Sequence, residues 1–326
     1  MDRSRKILIA GIGLAAGAAA LFGAAPHICA EQFLRLAMDR QMPAFFQKGK
    51  TQKQIQGYET EDQVKEGIRL LSRRLRETPH ERVQLQGRDG TLLVGHWFPV
   101  EEPERVIIAM HGWRSSWASD FCGVADFWRD NRCSVLYAEQ RGQGSSGGEY
   151  IGFGLLERYD CVSWAHWAQA HCGDQVPIYL SGISMGATTV LMASDLQLPE
   201  NVRGIMADCG FTGPDAIWEH IARHNLHLPY SRIGRQADRL CRKQIGVGSR
   251  QWSTVDSLRK STVPVLLIHG AQDHFVPVEM TYENYQACAA PRRLLIVPGA
   301  DHGMSYVVEH QQYEQAVLDF WHEFDR

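Results

Sequence analysis

Ile178-Tyr179-Leu180-Ser181-Gly182-Ile183-Ser184-Met185-Gly186-Ala187-Thr188 is a short apolar run that enters a G-x-S-x-G pattern and continues into a helix-like segment. A serine on a tight strand-to-helix turn is held in strained backbone geometry, and glycines at 182 and 186 leave room where a Cβ would meet neighbouring main chain. Its hydroxyl projects at the C-terminal end of the strand. The N–H groups that follow open a helix, where developing negative charge is favoured. G-x-S-x-G alone arises often by chance. The strand before it and the helix after it make Ser184 the candidate nucleophile and the N–H of Met185 a candidate oxyanion donor.

Working outward, apolar runs suited to a sheet buried on both faces recur at Arg105–Met110, Cys133–Ala138, Val202–Ala207, Pro264–Ile268 and Leu294–Val297. Helical patterns lie between them, over about 118–130 and over 159–171, where Trp164 and Trp167 are expected to face the sheet. A hairpin is expected from 83 to 98 around Asp89-Gly90. Strand alternating with helix predicts an α/β fold, a mostly parallel sheet with helices on both faces. A long helical excursion, about 211–260, is expected as a cap inserted after the sixth strand, roofing the pocket.

Two partners for the serine stand where strands end. Asp273 follows Ile268-His-Gly-Ala-Gln, and His302 follows Leu294-Leu-Ile-Val-Pro-Gly-Ala-Asp301. The order Ser184, Asp273, His302 suits a triad of nucleophile, orienting acid and base. Asp208 is a second candidate for the acid. Asp301 is less suited, because adjacent residues seldom orient each other's rings. His111-Gly112-Trp113 ends the Arg105–Met110 run, so the Trp113 N–H is the expected second oxyanion donor, with His111 a structural loop histidine.

Other features invite rival functions. The loop Glu139-Gln-Arg-Gly-Gln-Gly-Ser-Ser-Gly-Gly148 lacks the G-x-x-x-x-G-K-[ST] order of a phosphate cradle. Gly11-Ile-Gly13-Leu-Ala-Ala16 with Glu31 mimics a dinucleotide fingerprint, but too few residues remain before Glu81 for the βα units such a fold requires. His220, His224 and His227 carry a metal-like spacing with no obvious acid or cysteine to complete it, so they are expected to pack in the cap. With 326 residues and a formal charge of -3 drawn from both signs, the chain shows no basic face for nucleic acid. The eight cysteines are scattered, with no C-x-x-C, as expected of small buried apolar residues.

Arg3, Arg5 and Lys6 precede a charge-free run from Ile7 to Ala25, which is rich in alanine and glycine. It suits either a membrane anchor or a cleaved signal peptide with a small-residue site near Ala25 or Ala30, and the bulk of the chain is then expected outside the cytoplasm. Residues 1–30 are assigned to this segment, 31–80 to a helical extension and 81–326 to the catalytic domain. Phe33, Leu34, Leu36, Ala37, Phe45, Phe46, Ile68, Leu71 and Leu75 give the extension apolar faces, which pack on the domain or lie on a membrane surface.

With HGW, RGQG, GISMG, HGAQDHFVP and ADHG in hand, the chain from about Glu81 resembles the α/β-hydrolase superfamily, closest to bacterial lysophospholipase-like and serine aminopeptidase-like hydrolases with an N-terminal membrane segment. The resemblance implies Ser184 as nucleophile, His302 as base, Asp273 as its acid, the amides of Met185 and Trp113 as oxyanion hole, and a small-molecule acyl substrate with no metal or organic cofactor. Glu139 departs from the D-x-R-G-x-G loop common in such sequences, a change expected to affect loop structure. Ester hydrolysis, on acyl lipids or thioesters among others, is the expected activity. Its rivals are an aminopeptidase, whose free-amine substrate would need cap acids such as Asp215, Glu219 or Asp238, and a non-catalytic binding protein of the same fold.

Overall fold

The computed structural model describes residues 26–42 and 62–325. The Ile7–Ala25 run, the Gly11-x-Gly13 pattern, Phe45 and Phe46 lie outside them. In chain order come α1 (Pro26–Met38), α2 (Asp62–Glu77), β1 (Glu81–Gln86), β2 (Leu92–Phe98), β3 (Arg105–Met110), α3 (Trp117–Phe121), α4 (Ala125–Asp130) and β4 (Cys133–Glu139). These are followed by α5 (Glu157–Cys172), β5 (Ile178–Ile183), α6 (Met185–Ala193), β6 (Val202–Asp208), α7 (Pro214–His220), a π-helical turn at Ile221–Asn225, α8 (Tyr230–Ile245) and α9 (Thr254–Leu258). The chain closes with β7 (Val265–Gly270), α10 (Val278–Ala287), β8 (Arg292–Val297), α11 (Ser305–Val308) and α12 (His310–Phe324).

The strands form one sheet in the order β1-β2-β4-β3-β5-β6-β7-β8. Only β2 runs against its neighbours. This is the α/β-hydrolase fold, with the helical excursion inserted after β6 as its pattern predicts. Strand β3 shows why the apolar runs are continuous. Val106, Ile108 and Met110 pack on one face with Trp164 of α5 and Val190 of α6. Ile107 and Ala109 pack on the other, with Trp128 and Trp321. Successive side chains alternate between two buried layers, so both parities must be apolar.

Two expectations need adjusting. The helix expected over 118–130 is two short ones, broken at Cys122-Gly123-Val124, where glycine weakens the helix and Tyr306 lies against the bend. Trp164 faces the sheet fully buried, but Trp167 is only partly covered and stacks on the His171 ring at 4.7 Å.

Helix α1 starts before the boundary assigned to the extension. Ala30, Phe33, Leu34, Ala37 and Met38, spaced three and four apart, are buried in one cluster with Ile233, Ala237 and Cys241 of α8. Ala30, one of the two candidate cleavage points, is fully buried within this helix, so a cut there would remove its first turn. Glu31 pairs with Arg35 one turn on, at 2.9 Å. Helix α2 packs beside α3, with Leu75 buried there, Ile68 partly covered and Leu71 exposed. Among the described residues, no helix is long and apolar enough to cross a membrane.

Candidate active site

Ser184 sits between β5 and α6 with φ 56° and ψ −118°, the left-handed region that side chains avoid. Its N–H donates to the Asp208 carbonyl at 2.8 Å. The flanking glycines are dictated by close approach. A Cβ on Gly186 would lie 1.8 Å from the Met110 carbonyl oxygen, and one on Gly182 would lie 2.3 Å from the carbonyl of Gly186.

The three residues expected at separate strand ends meet. Ser184 Oγ lies 2.9 Å from His302 Nε2, and His302 Nδ1 lies 2.7 Å from Asp273 Oδ2. A carboxylate only accepts, so Nδ1 carries the hydrogen and Nε2 is free to receive the serine proton. Asp273 Oδ1 accepts from the backbone N–H groups of Phe275 and Val276 at 2.9 and 2.8 Å. Burial alone would raise its carboxyl, but His302 and His269 hold it well below the usual carboxylate range. Burial disfavours the His302 cation, yet Asp273 outweighs that and raises the imidazole well above its ordinary value.

The alternative acids have other duties. Asp208 accepts from Ser305 Oγ at 3.0 Å, and burial pushes its carboxyl up to about 6. Asp301 ties loops together, accepting from the backbone N–H groups of His302 at 2.8 Å and His274 at 3.1 Å. His111 is buried, its Nδ1 bonded to the Gly112 carbonyl and its Nε2 accepting from the Gln140 N–H, while burial lowers its basicity. Met185 opens α6 beside the serine. In the loop after β3, the Gly112 N–H is committed to Asp120 Oδ2 at 2.6 Å and the Arg114 N–H to Gln143 Oε1 at 2.6 Å. The Trp113 N–H lies between those two, and its indole Nε1 donates to the Ala37 carbonyl at 2.8 Å.

Two spaces open from Ser184. A cavity of about 670 Å³ runs past Trp113, His302, Met304 and Tyr306 to Ile68 and Leu71 of α2. A recess of about 30 Å³ lies on another side, enclosed by Phe33, Leu36 and Ala37 of α1 and by Ile217, Trp218 and Ile221 of the cap. The sequence patterns give no hint that α1 and α2 wall these spaces. His269, which touches Asp273, was equally unmarked, although its place four residues before the acid at a strand end was open to view.

The remaining motifs resolve into structure. Arg40 donates to the carbonyls of Ser146 at 2.6 Å, Gly148 at 3.1 Å and Gly144 at 2.7 Å, so the glycine-rich loop surrounds a cation with oxygens, the reverse of a phosphate cradle. Glu139 shapes that loop, bonding His96 Nε2 at 2.8 Å and receiving the Ser145 N–H. His220 and His224 stack at 4.6 Å, while His227 lies beyond that turn in left-handed backbone. The cap acids Asp215, Glu219 and Asp238 pair with Arg250, Arg223 and Arg242, and none lines either space. All eight cysteines are free thiols.

The family model for the prolyl oligopeptidase family matches residues 121–324, nearly two thirds of the chain, including Ser184, Asp273 and His302. This chain belongs to the prolyl oligopeptidase family. Relatives of this prolyl oligopeptidase family member include the uncharacterised YqkD of Bacillus subtilis, 28% identical over 187 residues, which cover 57% of this chain and 61% of YqkD. The uncharacterised YfhR of Escherichia coli K12 is 28% identical over 250 residues, 74% of this chain and 80% of that one. Among solved structures, an esterase of Pyrococcus furiosus superposes with a TM-score of 0.63 at 22% identity, covering 76% of this chain and 92% of that one. A dienelactone hydrolase of Anabaena variabilis superposes with a TM-score of 0.56 at 17% identity, covering 76% and 99%. These likenesses agree in fold. Family and fold together make the protein a serine hydrolase of the α/β type.

Proposed function

We propose that the protein hydrolyses carboxylic esters through an acyl-enzyme on Ser184. The observation that carries this is the unbroken hydrogen-bonded run from Ser184 Oγ through His302 to Asp273. His302 Nε2 takes the serine proton as Oγ attacks the acyl carbon, and Asp273 holds the ring and stabilises the imidazolium. The N–H groups of Met185 and Trp113 are assigned to hold the developing oxyanion. His302 then protonates the departing alcohol oxygen. Water repeats the cycle, giving up a proton to His302 as its oxygen bonds the acyl carbon, and the acid leaves as Ser184 recovers its proton.

Esters are favoured over aminoacyl substrates by the surroundings. A free α-amine calls for an unengaged carboxylate near the nucleophile; the three cap acids are paired with arginines away from both spaces, and Asp120 and Asp208, which line the large one, accept hydrogen bonds from Gly112 and Ser115 and from Ser305. A neighbour in fold, at 17% identity, is a puromycin-hydrolysing peptidase of Mycobacterium tuberculosis, so the panel must include an anilide.

The test is fluorophosphonate labelling of wild type and Ser184→Ala beside p-nitrophenyl esters and an aminoacyl-anilide. Labelling of wild type alone, with ester turnover exceeding anilide turnover, is the expected result. Preferred anilide turnover would move the assignment to a peptidase, and a folded wild type that neither labels nor turns over would move it to a binding protein. Membrane attachment through the Ile7–Ala25 run is proposed on the three basic residues preceding it. Mass spectrometry of the membrane fraction should find the Met1 end intact, and a start after Ala25 or Ala30 would mean cleavage instead.

A further inference from the structure

The two spaces at Ser184 differ in a way that assigns them. His302 lines the large cavity and is absent from the walls of the recess. In acyl transfer the histidine hands the serine proton to the leaving-group oxygen, so the leaving group must lie on the histidine's side. The acyl chain hangs from the same carbonyl carbon and points away. We infer that the small recess is the acyl site, that it admits only short apolar acyl groups, and that helix α1 is the wall that sets the limit. This rests on the ester reading above.

Size and rigidity both bear on the limit. At about 30 Å³ the recess is more than twenty times smaller than the cavity of about 670 Å³, so it is the space that a lengthening acyl chain fills first. Acetyl through butyryl groups fit that space. A longer chain must push a wall back, and the walls are braced. Phe33 meets Trp218 edge to face with centroids 6.2 Å apart, and Phe153 meets the same ring at 5.3 Å. Behind α1, Trp113 Nε1 bonds the Ala37 carbonyl, and Arg114 Nη2 bonds the carbonyls of Leu36 at 2.9 Å and Asp39 at 2.6 Å. The substrate class that follows is a short-chain acyl ester of a bulky alcohol, whose alcohol part occupies the cavity of about 670 Å³. Long-chain acyl lipids, within the broader expectation, fall outside it.

The experiment measures kcat/KM of the full chain on p-nitrophenyl acetate, butyrate, octanoate and laurate, for wild type, Leu36→Ala and Ala37→Val, with fluorophosphonate titration fixing the active fraction of each. Wild type should favour acetate and butyrate, with octanoate lower by at least about tenfold. Leu36→Ala should raise the octanoate-to-acetate ratio about tenfold, and Ala37→Val should lower the butyrate-to-acetate ratio. Ser184-dependent turnover that favours octanoate or laurate overturns the inference while leaving the ester function standing. So do ratios within roughly twofold of wild type in both variants, since about tenfold is expected for a methylene-sized change. Absence of Ser184-dependent turnover on every ester overturns both.

Discussion

His269 Nε2 lies 3.1 Å from Oδ2 of Asp273, the oxygen that also receives the Nδ1–H of His302 at 2.7 Å. His269 is fully buried, with Nδ1 2.6 Å from the Thr281 hydroxyl and Nε2 2.9 Å from the Val276 carbonyl. A carbonyl and a carboxylate only accept, so Nε2 carries the hydrogen and Thr281 donates to Nδ1. The nucleophile thus stands at one end of a run of close polar contacts that reaches Thr281, with the His269 Nε2–H shared between the Val276 carbonyl and Asp273.

That chain predicts a kinetic signature. A hydrogen bond to a charged group is worth about 1.5–3 kcal/mol, so His269→Asn should lower kcat by about tenfold to a hundredfold with KM little changed. Thr281→Val should act in the same direction more weakly. Steady-state kinetics on the preferred ester decide it; a KM effect without a kcat effect would remove His269 from the chain.

The pH dependence follows from His302. The ring must be neutral to accept the serine proton, and its value is raised above 6.5 chiefly by Asp273 working against burial. Activity should therefore fall as pH drops, with the half-point of kcat/KM above 6.5. Asp273→Asn removes the raising charge, so the half-point should move down while kcat falls about 10⁴-fold, as in comparable triads. An unmoved half-point would contradict the assignment of the acid.

At the nucleophile turn, Gly186→Ala should yield no active, folded enzyme, because its Cβ would overlap the Met110 carbonyl. Circular dichroism and fluorophosphonate labelling together check this, and a folded, labelling variant would show that the turn can open.

Away from the chemistry, Arg141 bonds Asp160 through Nη2 to Oδ1 at 2.5 Å and Nε to Oδ2 at 2.6 Å, both side chains buried. Its other partner, Asp89, is half exposed. Removing one member of a buried pair costs about 3–5 kcal/mol, so Asp160→Ala should lose that much in urea denaturation. Asp89→Ala should lose about 0–1 kcal/mol. Equal losses would mean that Arg141 draws no extra stability from burial of its pair.

Much of this architecture was legible because its constraints are local. The strand-turn-helix context of Ser184 and the acid and histidine at successive strand ends are each written in eleven or fewer consecutive residues. The break between α3 and α4 was not, since the bend at Gly123 is fixed against Tyr306, far along the chain. The same holds for α1. Its apolar spacing suited either a packed face or one lying on a membrane, and that Leu36 and Ala37 border the nucleophile depends on the Trp113 and Arg114 side chains, which no periodicity encodes.

The docking of α1 also moves the working boundary of the catalytic unit. The sheet begins at Glu81, and a fragment trimmed there would keep every strand and all of Ser184, Asp273 and His302. It would strip the carbonyl acceptors from the half-buried Arg114 guanidinium and from the Trp113 indole, and withdraw Arg40 from the loop that folds around it. Such a fragment would be less a minimal enzyme than one with an open flank, indiscriminate toward acyl length and loosened where the oxyanion must be held.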